Sequence, residues 1–272
     1  MSRYFETFAE LSGKTAVVTV ASSGIGAGIA KVLAADGAAV VINCASNKEE
    51  WASRLVSEIR SKGGKAINVE GDIEKAADVE RIFAETKQTF GQLDILVNNS
   101  SIFALSPFDR TMEEDLHRYF KLNALGLLLT TQEAINLFGP EGGSIFHIDC
   151  VVSDFSLRNS NYTATKIAVD AVTQALAKDL SNKKISITSI EVVVQLLDRD
   201  LELPPKREEI NFFEDRLAEG LSNTIRIGAL RSESGRIRIK ARTQSKPMRE
   251  HGEVSTSQAE ELLGPLIRGQ VV

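Results

Sequence analysis

Tyr162 and Lys166 stand four residues apart in the run Asn161-Tyr162-Thr163-Ala164-Thr165-Lys166. On a helix that spacing puts two side chains on one face, so a phenol and an ammonium would share one small volume. A free phenol has a pKa of about 10 and is a poor acid or base at neutral pH, but a fixed cation beside it favours the phenolate. The chemistry this pattern points to is proton transfer. The same spacing occurs by chance in many helices, so its meaning depends on what surrounds it.

A second chemical pattern lies near the start of the chain. The apolar, β-branched run Thr15-Ala16-Val17-Val18-Thr19-Val20 leads through Ala21-Ser22-Ser23-Gly24-Ile25-Gly26 into a helical pattern ending near Asp36-Gly37. Strand, glycine turn and helix together make a phosphate-binding arrangement: glycines admit a pyrophosphate to the backbone, and the helix start offers unpaired N–H groups. The elements that must position both patterns alternate along the chain. Strands are predicted over 39–43, 66–69, 93–98, 144–149 and 185–194, and helices over 48–61, 76–90, 112–138 and, opened by the Tyr162 run, 167–180. Continuous apolar strands between amphipathic helices imply a doubly wound parallel sheet covered on both faces, a three-layer α/β/α architecture.

The 272 residues suffice for one large α/β domain, and 43% hydrophobic with 25% charged residues is ordinary for a globular protein. A net charge of -5 argues against nucleic acid as the main partner. No uncharged window approaches the roughly 18 residues of a membrane span, so a soluble, cytoplasmic protein is expected. Cys44 and Cys150 fall in separate strand patterns, which suits a reducing compartment better than a disulfide framework. His117 and His147 have no ligand-like spacing with each other or with the cysteines, and no metal site is expected.

The order glycine turn, Asn98-Asn99, Asn123, strand end at Cys150, then Tyr162 and Lys166 resembles the short-chain dehydrogenase/reductase family, particularly 3-oxoacyl reductases and fungal polyketide ketoreductases of secondary metabolism. The resemblance covers about 13–190. It implies a Rossmann-like fold and a nicotinamide dinucleotide bound across the strand ends, with Ser22, Ser23, Gly24, Ile25 and Gly26 at the phosphates. Asp72, in Gly71-Asp72-Ile73, resembles the carboxylate at the adenine amino group, and Asn98 the residue beside the adenosine ribose. At the end of the second strand an acidic residue would bind the ribose 2′-OH. Here the position reads Cys44, followed by Ser46, Asn47 and Lys48, so NADP(H) is the expected cofactor.

For catalysis the resemblance implies Tyr162 as proton donor, Lys166 as the group that lowers the phenol pKa and holds the nicotinamide ribose, and Asn123 in support of a water relay. The family serine that hydrogen-bonds the substrate oxygen is replaced by Cys150. A thiol is a weak donor, and losing one such donor costs about 3 kcal/mol. Ser153 and Asp149 are the other polar groups nearby, although a carboxylate would oppose negative charge on the substrate oxygen unless protonated. Val20 replaces the first glycine of the turn, Ser100-Ser101 stands for Ala-Gly, and Val192-Val193 for a Pro-Gly. If the turn needs positive φ at Val20, the cost is about 1–2 kcal/mol.

The expectation is a single domain over 1–272 with a divergent lid and C-terminal region over 195–272. Leu201, Pro204-Pro205 and Leu221 belong to that region, where Phe212 and Phe213 either pack in the core or face a ligand. Arg236-Ile237-Arg238-Ile239-Lys240 alternates like an edge strand protected by charge, and Gly269-Gln270-Val271-Val272 is similar to the start of the family's last strand. The function expected is NADP(H)-dependent reduction of a small or polyketide-like ketone by a homodimer or homotetramer. The alternative is a redeployed member, a pseudoenzyme or a cofactor-independent isomerase, cyclase or dehydratase, using Tyr162 as acid or base.

Overall fold

The structure, a computed structural model, describes residues 10–99, 113–152, 160–195, 225 and 235–242. Seven strands form one sheet: β1 (Thr15–Val18), β2 (Ala39–Cys44), β3 (Lys65–Glu70), β4 (Ile95–Asn98), β5 (Gly143–Val152), β6 (Ile185–Gln195) and β7 (Gly235–Arg242). Their order is β3-β2-β1-β4-β5-β6-β7, and every pairing is parallel. The order reverses between β1 and β4, the place where doubly wound sheets open a crevice outside the carboxyl ends of their strands. The expected edge strand is β7, in register with β6 from Thr188↔Gly235 to Gln195↔Arg242. Residues 269–272 lie outside the described residues, as do Ser100-Ser101, Ser153, Phe212 and Phe213.

Burial on both faces explains why the strands read as apolar runs rather than strict alternations. Val40 and Ile42 pack with Leu33, Leu55 and Ile59 on one face, while Val41 joins Val17, Leu96, Ile145 and Ile187 on the other. A fully buried Leu or Ile contributes roughly 1.5–3 kcal/mol, so the two layers supply most of the drive for folding. The helices are α1 (Gly24–Ala35), α2 (Glu49–Ser61), α3 (Ala76–Phe90), α4 (Glu113–Phe120), α5 (Leu127–Leu137) and α6 (Ser160–Leu180). On α2 the buried set is Ala52, Leu55, Val56 and Ile59, and on α3 it is Val79, Ile82, Phe83 and Thr86. Both follow the i, i+3, i+4, i+7 stripe of a helix with one face on a sheet.

The predicted helix over 112–138 is one rod with a flaw. A π-helical turn, Lys121–Gly126, joins α4 to α5. Widened turns of this kind re-aim side chains and recur at functional sites. Gly126 allows a close approach here, because a Cβ on it would stand 3.1 Å from the Ile73 side chain and 3.2 Å from the Ile73 carbonyl oxygen, so that Ile73 would have to shift by a few tenths of an ångström. Asn123, inside the widened turn, is 1% exposed.

Candidate active site

The end of the candidate site expected to take a nucleotide is built where the strand order reverses, between β1 and β4. Ser23 precedes α1 in extended conformation with no side-chain cap, and the first turn of α1 carries no acidic residue. That leaves the first N–H groups of a 12-residue helix open to an anion, a donor set that fits a pyrophosphate. Ser22 is buried beside it, and Gly24 has φ +60. Gly26 serves packing: a Cβ on it would meet the Asn99 amide nitrogen at 2.5 Å. Val20 does adopt positive φ, 49°, and the residue is 40% exposed. Two asparagines clamp this strained residue. Asn43 Oδ1 accepts from the Val20 N–H at 3.1 Å, and Asn99 Nδ2 donates to the carbonyls of Thr19 at 3.3 Å and Val20 at 3.2 Å.

The residues expected beside an adenosine present a mixed picture. Asp72 lies near the start of the loop after β3, its Oδ1 accepting from the Glu74 N–H at 3.0 Å and its Oδ2 3.3 Å from the Lys75 ammonium. Ile73 is in the core, so only its backbone is available to a ligand. Asn98 is buried and engaged, accepting from Thr130 Oγ1 at 2.7 Å and donating to Thr131 Oγ1 at 3.2 Å. Cys44 is fully buried; burial, then the nearby Glu70 and Glu49 carboxylates, push its thiol up to about 11. Ser46, Asn47 and Lys48 form an exposed 3₁₀ turn, with the Lys48 ammonium 5.7 Å from the centre of the Trp51 ring.

At the other end, β5 and α6 carry the residues expected to react. Tyr162 falls in the first turn of α6, earlier than the 167–180 span suggested, with Lys166 one turn on. Cys150 is on β5 opposite Val192 of β6; strand and helix place Cys150 and Tyr162 by backbone, and their side chains lie outside the described set. Lys166 Nζ sits 2.9 Å from Asp149 Oδ1, the two side chains 11% and 16% exposed. Asn123 Nδ2 donates to Thr165 Oγ1 at 3.4 Å, tying the π turn to α6 beside Lys166.

Below this pair runs a buried polar chain. Thr173 Oγ1 donates to the Val169 carbonyl at 2.8 Å, which leaves it to accept from His147 Nδ1 at 2.8 Å; Nε2 then accepts from Thr131 Oγ1 at 3.4 Å, and Thr131 accepts from Asn98. Neutral His147 satisfies both neighbours, and burial followed by the Lys166 charge pushes its pKa down to about 3. Sequence reasoning missed this chain, the Asn43 and Asn99 clamps and the Asp149–Lys166 ion pair. The available signal for the last was parity: Asp149 is two residues past His147, hence on the same face of β5. Val192 and Val193, where the family turns at Pro-Gly, continue β6 as strand, paired with Cys150 and Val151.

A doubly wound parallel sheet with an uncapped helix start at its switch point and a lysine-bearing helix beside β5 defines a dinucleotide-binding α/β enzyme. The chain belongs to the short-chain dehydrogenase family, whose model matches residues 14–195, and is an oxidoreductase of that type. It is 45% identical over 182 residues to an uncharacterized oxidoreductase of Methylorubrum extorquens, covering 66% of this chain and 73% of that one. It is 39% identical over 188 residues to the hydroxynaphthalene reductase-like protein Arp2 of Metarhizium guizhouense, covering 68% and 69%. A crystal structure of a dehydrogenase/reductase from Sinorhizobium meliloti superposes with a TM-score of 0.71 at 30% identity, over 85% of this chain and 96% of that one. Among the described residues, no helix is long and apolar enough to cross a membrane.

Proposed function

We propose that the protein is an NADP(H)-dependent ketoreductase acting on a small or polyketide-like carbonyl compound in the cytoplasm, as a single 1–272 domain whose 195–272 region supplies the substrate lid. The observation that carries this reading is Lys166 at the carboxyl end of β5, one helical turn from Tyr162 and adjoining Asn123 in its π turn. The cofactor, when bound, supplies hydride. The start of α1 with Ser22, Ser23, Gly24, Ile25 and Gly26 holds the pyrophosphate, and Asp72, the Ile73 backbone and Asn98 border the adenosine. Ser46 and Lys48 receive a 2′-phosphate, with Cys44 in place of a repelling carboxylate; Glu49 and Glu70 are the charges working against it.

Tyr162 donates its proton to the carbonyl oxygen as that oxygen gains charge. The ammonium of Lys166 and the positive end of α6 both favour the phenolate left behind. Asn123 holds the Thr165 and Lys166 turn in place, and Cys150 contributes a weak S–H donor to the substrate oxygen. The Arp2 relative supports a hydroxylated aromatic ketone as substrate. Calorimetry against NADPH and NADH tests the cofactor. With a ketone that turns over, Tyr162→Phe should cut NADPH oxidation by about 10²–10⁴-fold with the circular dichroism unchanged; full turnover would refute the mechanism.

Two observations favour a second reading, a redeployed member working without hydride transfer: the strained Val20 at the phosphate turn, and the unbroken β6 through Val192 and Val193. Tyr162 would then act as acid or base in an isomerisation, cyclisation or dehydration. Absence of binding by either dinucleotide to folded protein would select it. The quaternary reading is a homodimer or homotetramer built on the helices bearing Asn123 and Tyr162, where Leu116, Phe120, Leu125, Leu128 and Ile167 are exposed.

A further inference from the structure

The ion pair between Asp149 and Lys166 adds a charge at the heart of the site. Its geometry is that of a made bond: 2.9 Å between Oδ1 and Nζ, with both side chains largely shielded from water. Shielding strengthens the attraction between the partners and equally the repulsion between Asp149 and any anion brought beside it. His147, on the same face of β5, is held neutral, and Asn123 and Thr165 carry no charge. Asp170, one turn along α6, accepts from Gln174 Nε2 at 3.0 Å.

We propose that Asp149 is an affinity-tuning residue of the site: a resident counter-ion on Lys166 that an incoming dinucleotide must share or displace, so that it weakens dinucleotide binding. The proposal rests on the dinucleotide reading of the site above. A ligand hydroxyl receiving a hydrogen bond from Lys166 competes with a full carboxylate for the same ammonium. A dinucleotide also brings its own negative charges toward that carboxylate. Asp149 therefore opposes binding twice, once through the ammonium it occupies and once through its field. Asn has nearly the same shape without the charge, so it no longer competes for the ammonium as a full carboxylate.

The test is calorimetric titration of wild type, Asp149→Asn and Asp149→Ser with NADPH and, separately, NADH, each protein first shown folded by its thermal transition. Glu141→Gln, on an exposed carboxylate paired with Lys184 far from Lys166, controls for the same change in net charge. The expected result is dinucleotide binding about tenfold tighter in both Asp149 variants, with Glu141→Gln matching wild type. Wild type that binds neither nucleotide beside an Asp149→Asn that does would support the inference while refuting the reductase reading for the natural chain. Equal or weaker binding by the Asp149 variants, or binding by none of the proteins, would overturn the inference. A shift shared by Glu141→Gln would overturn it too, since net charge would then explain the result.

Discussion

Val20 is a β-branched residue in a left-handed conformation, which costs about 1–2 kcal/mol, and it survives because its N–H and carbonyl are both held. Val20→Gly should therefore leave stability unchanged or raise it by up to about 1 kcal/mol, the relief of strain being partly offset by the greater freedom of glycine in the unfolded chain. Urea unfolding with an unchanged m-value checks this. Asn43 has the opposite profile. Its side chain serves three backbone groups, the part-buried Val20 N–H and the buried carbonyls of Val69 and Gly71, so Asn43→Ala should cost about 2–4 kcal/mol in the same assay. The strain at Val20 was legible in the sequence because only glycine takes such a φ freely. The clamp was not, because Asn43 reads as one more polar residue at the end of an apolar strand.

Across elements, His147 ties α5 to α6 through the sheet, and its low pKa makes this tie pH-dependent. An unfolded histidine titrates near 6.5 and the folded one near 3, so between those values the unfolded chain binds the extra proton. The stability contributed by neutral His147 is complete above about pH 6.5 and is lost as pH falls toward 3, with a slope approaching 1.4 kcal/mol per unit. His147→Gln should be less stable at pH 7 yet show a shallower acid loss, as read by denaturant midpoints across that range; an unchanged slope would remove His147 as the cause. Element types and order were readable from periodicity, since strands and helices alternate with clear apolar stripes. The π turn was not, because one added residue per turn leaves the hydrophobic pattern of a long helix nearly intact.

At the scale of the molecule, Leu116, Phe120, Leu125, Leu128 and Ile167, the last 66% exposed, are large apolar residues left open on the helical segments proposed to pair. Phe120→Glu together with Leu125→Glu should shift the protein to monomer in light scattering, while keeping its far-ultraviolet circular dichroism. A wild type that already runs as monomer would retire the dimer. The succession of strands and helices up to β6 was legible from apolar periodicity, the order in which the strands pair was not, and the charged alternation of 236–240 marked the edge strand. What the sequence hid were contacts set by tertiary placement, above all the carboxylate that reaches Lys166. The parallel pairing of β6 with β7 has one more consequence, in time rather than in space. As the ribosome delivers the chain, β6 emerges long before its partner, and until β7 arrives a strand containing Ile185, Ile187, Ile190 and Val192-Val193-Val194 lies along an open edge. Nascent chains stalled in that interval should be the aggregation-prone ones, so synthesis rate over the segment after β6 should set the soluble yield.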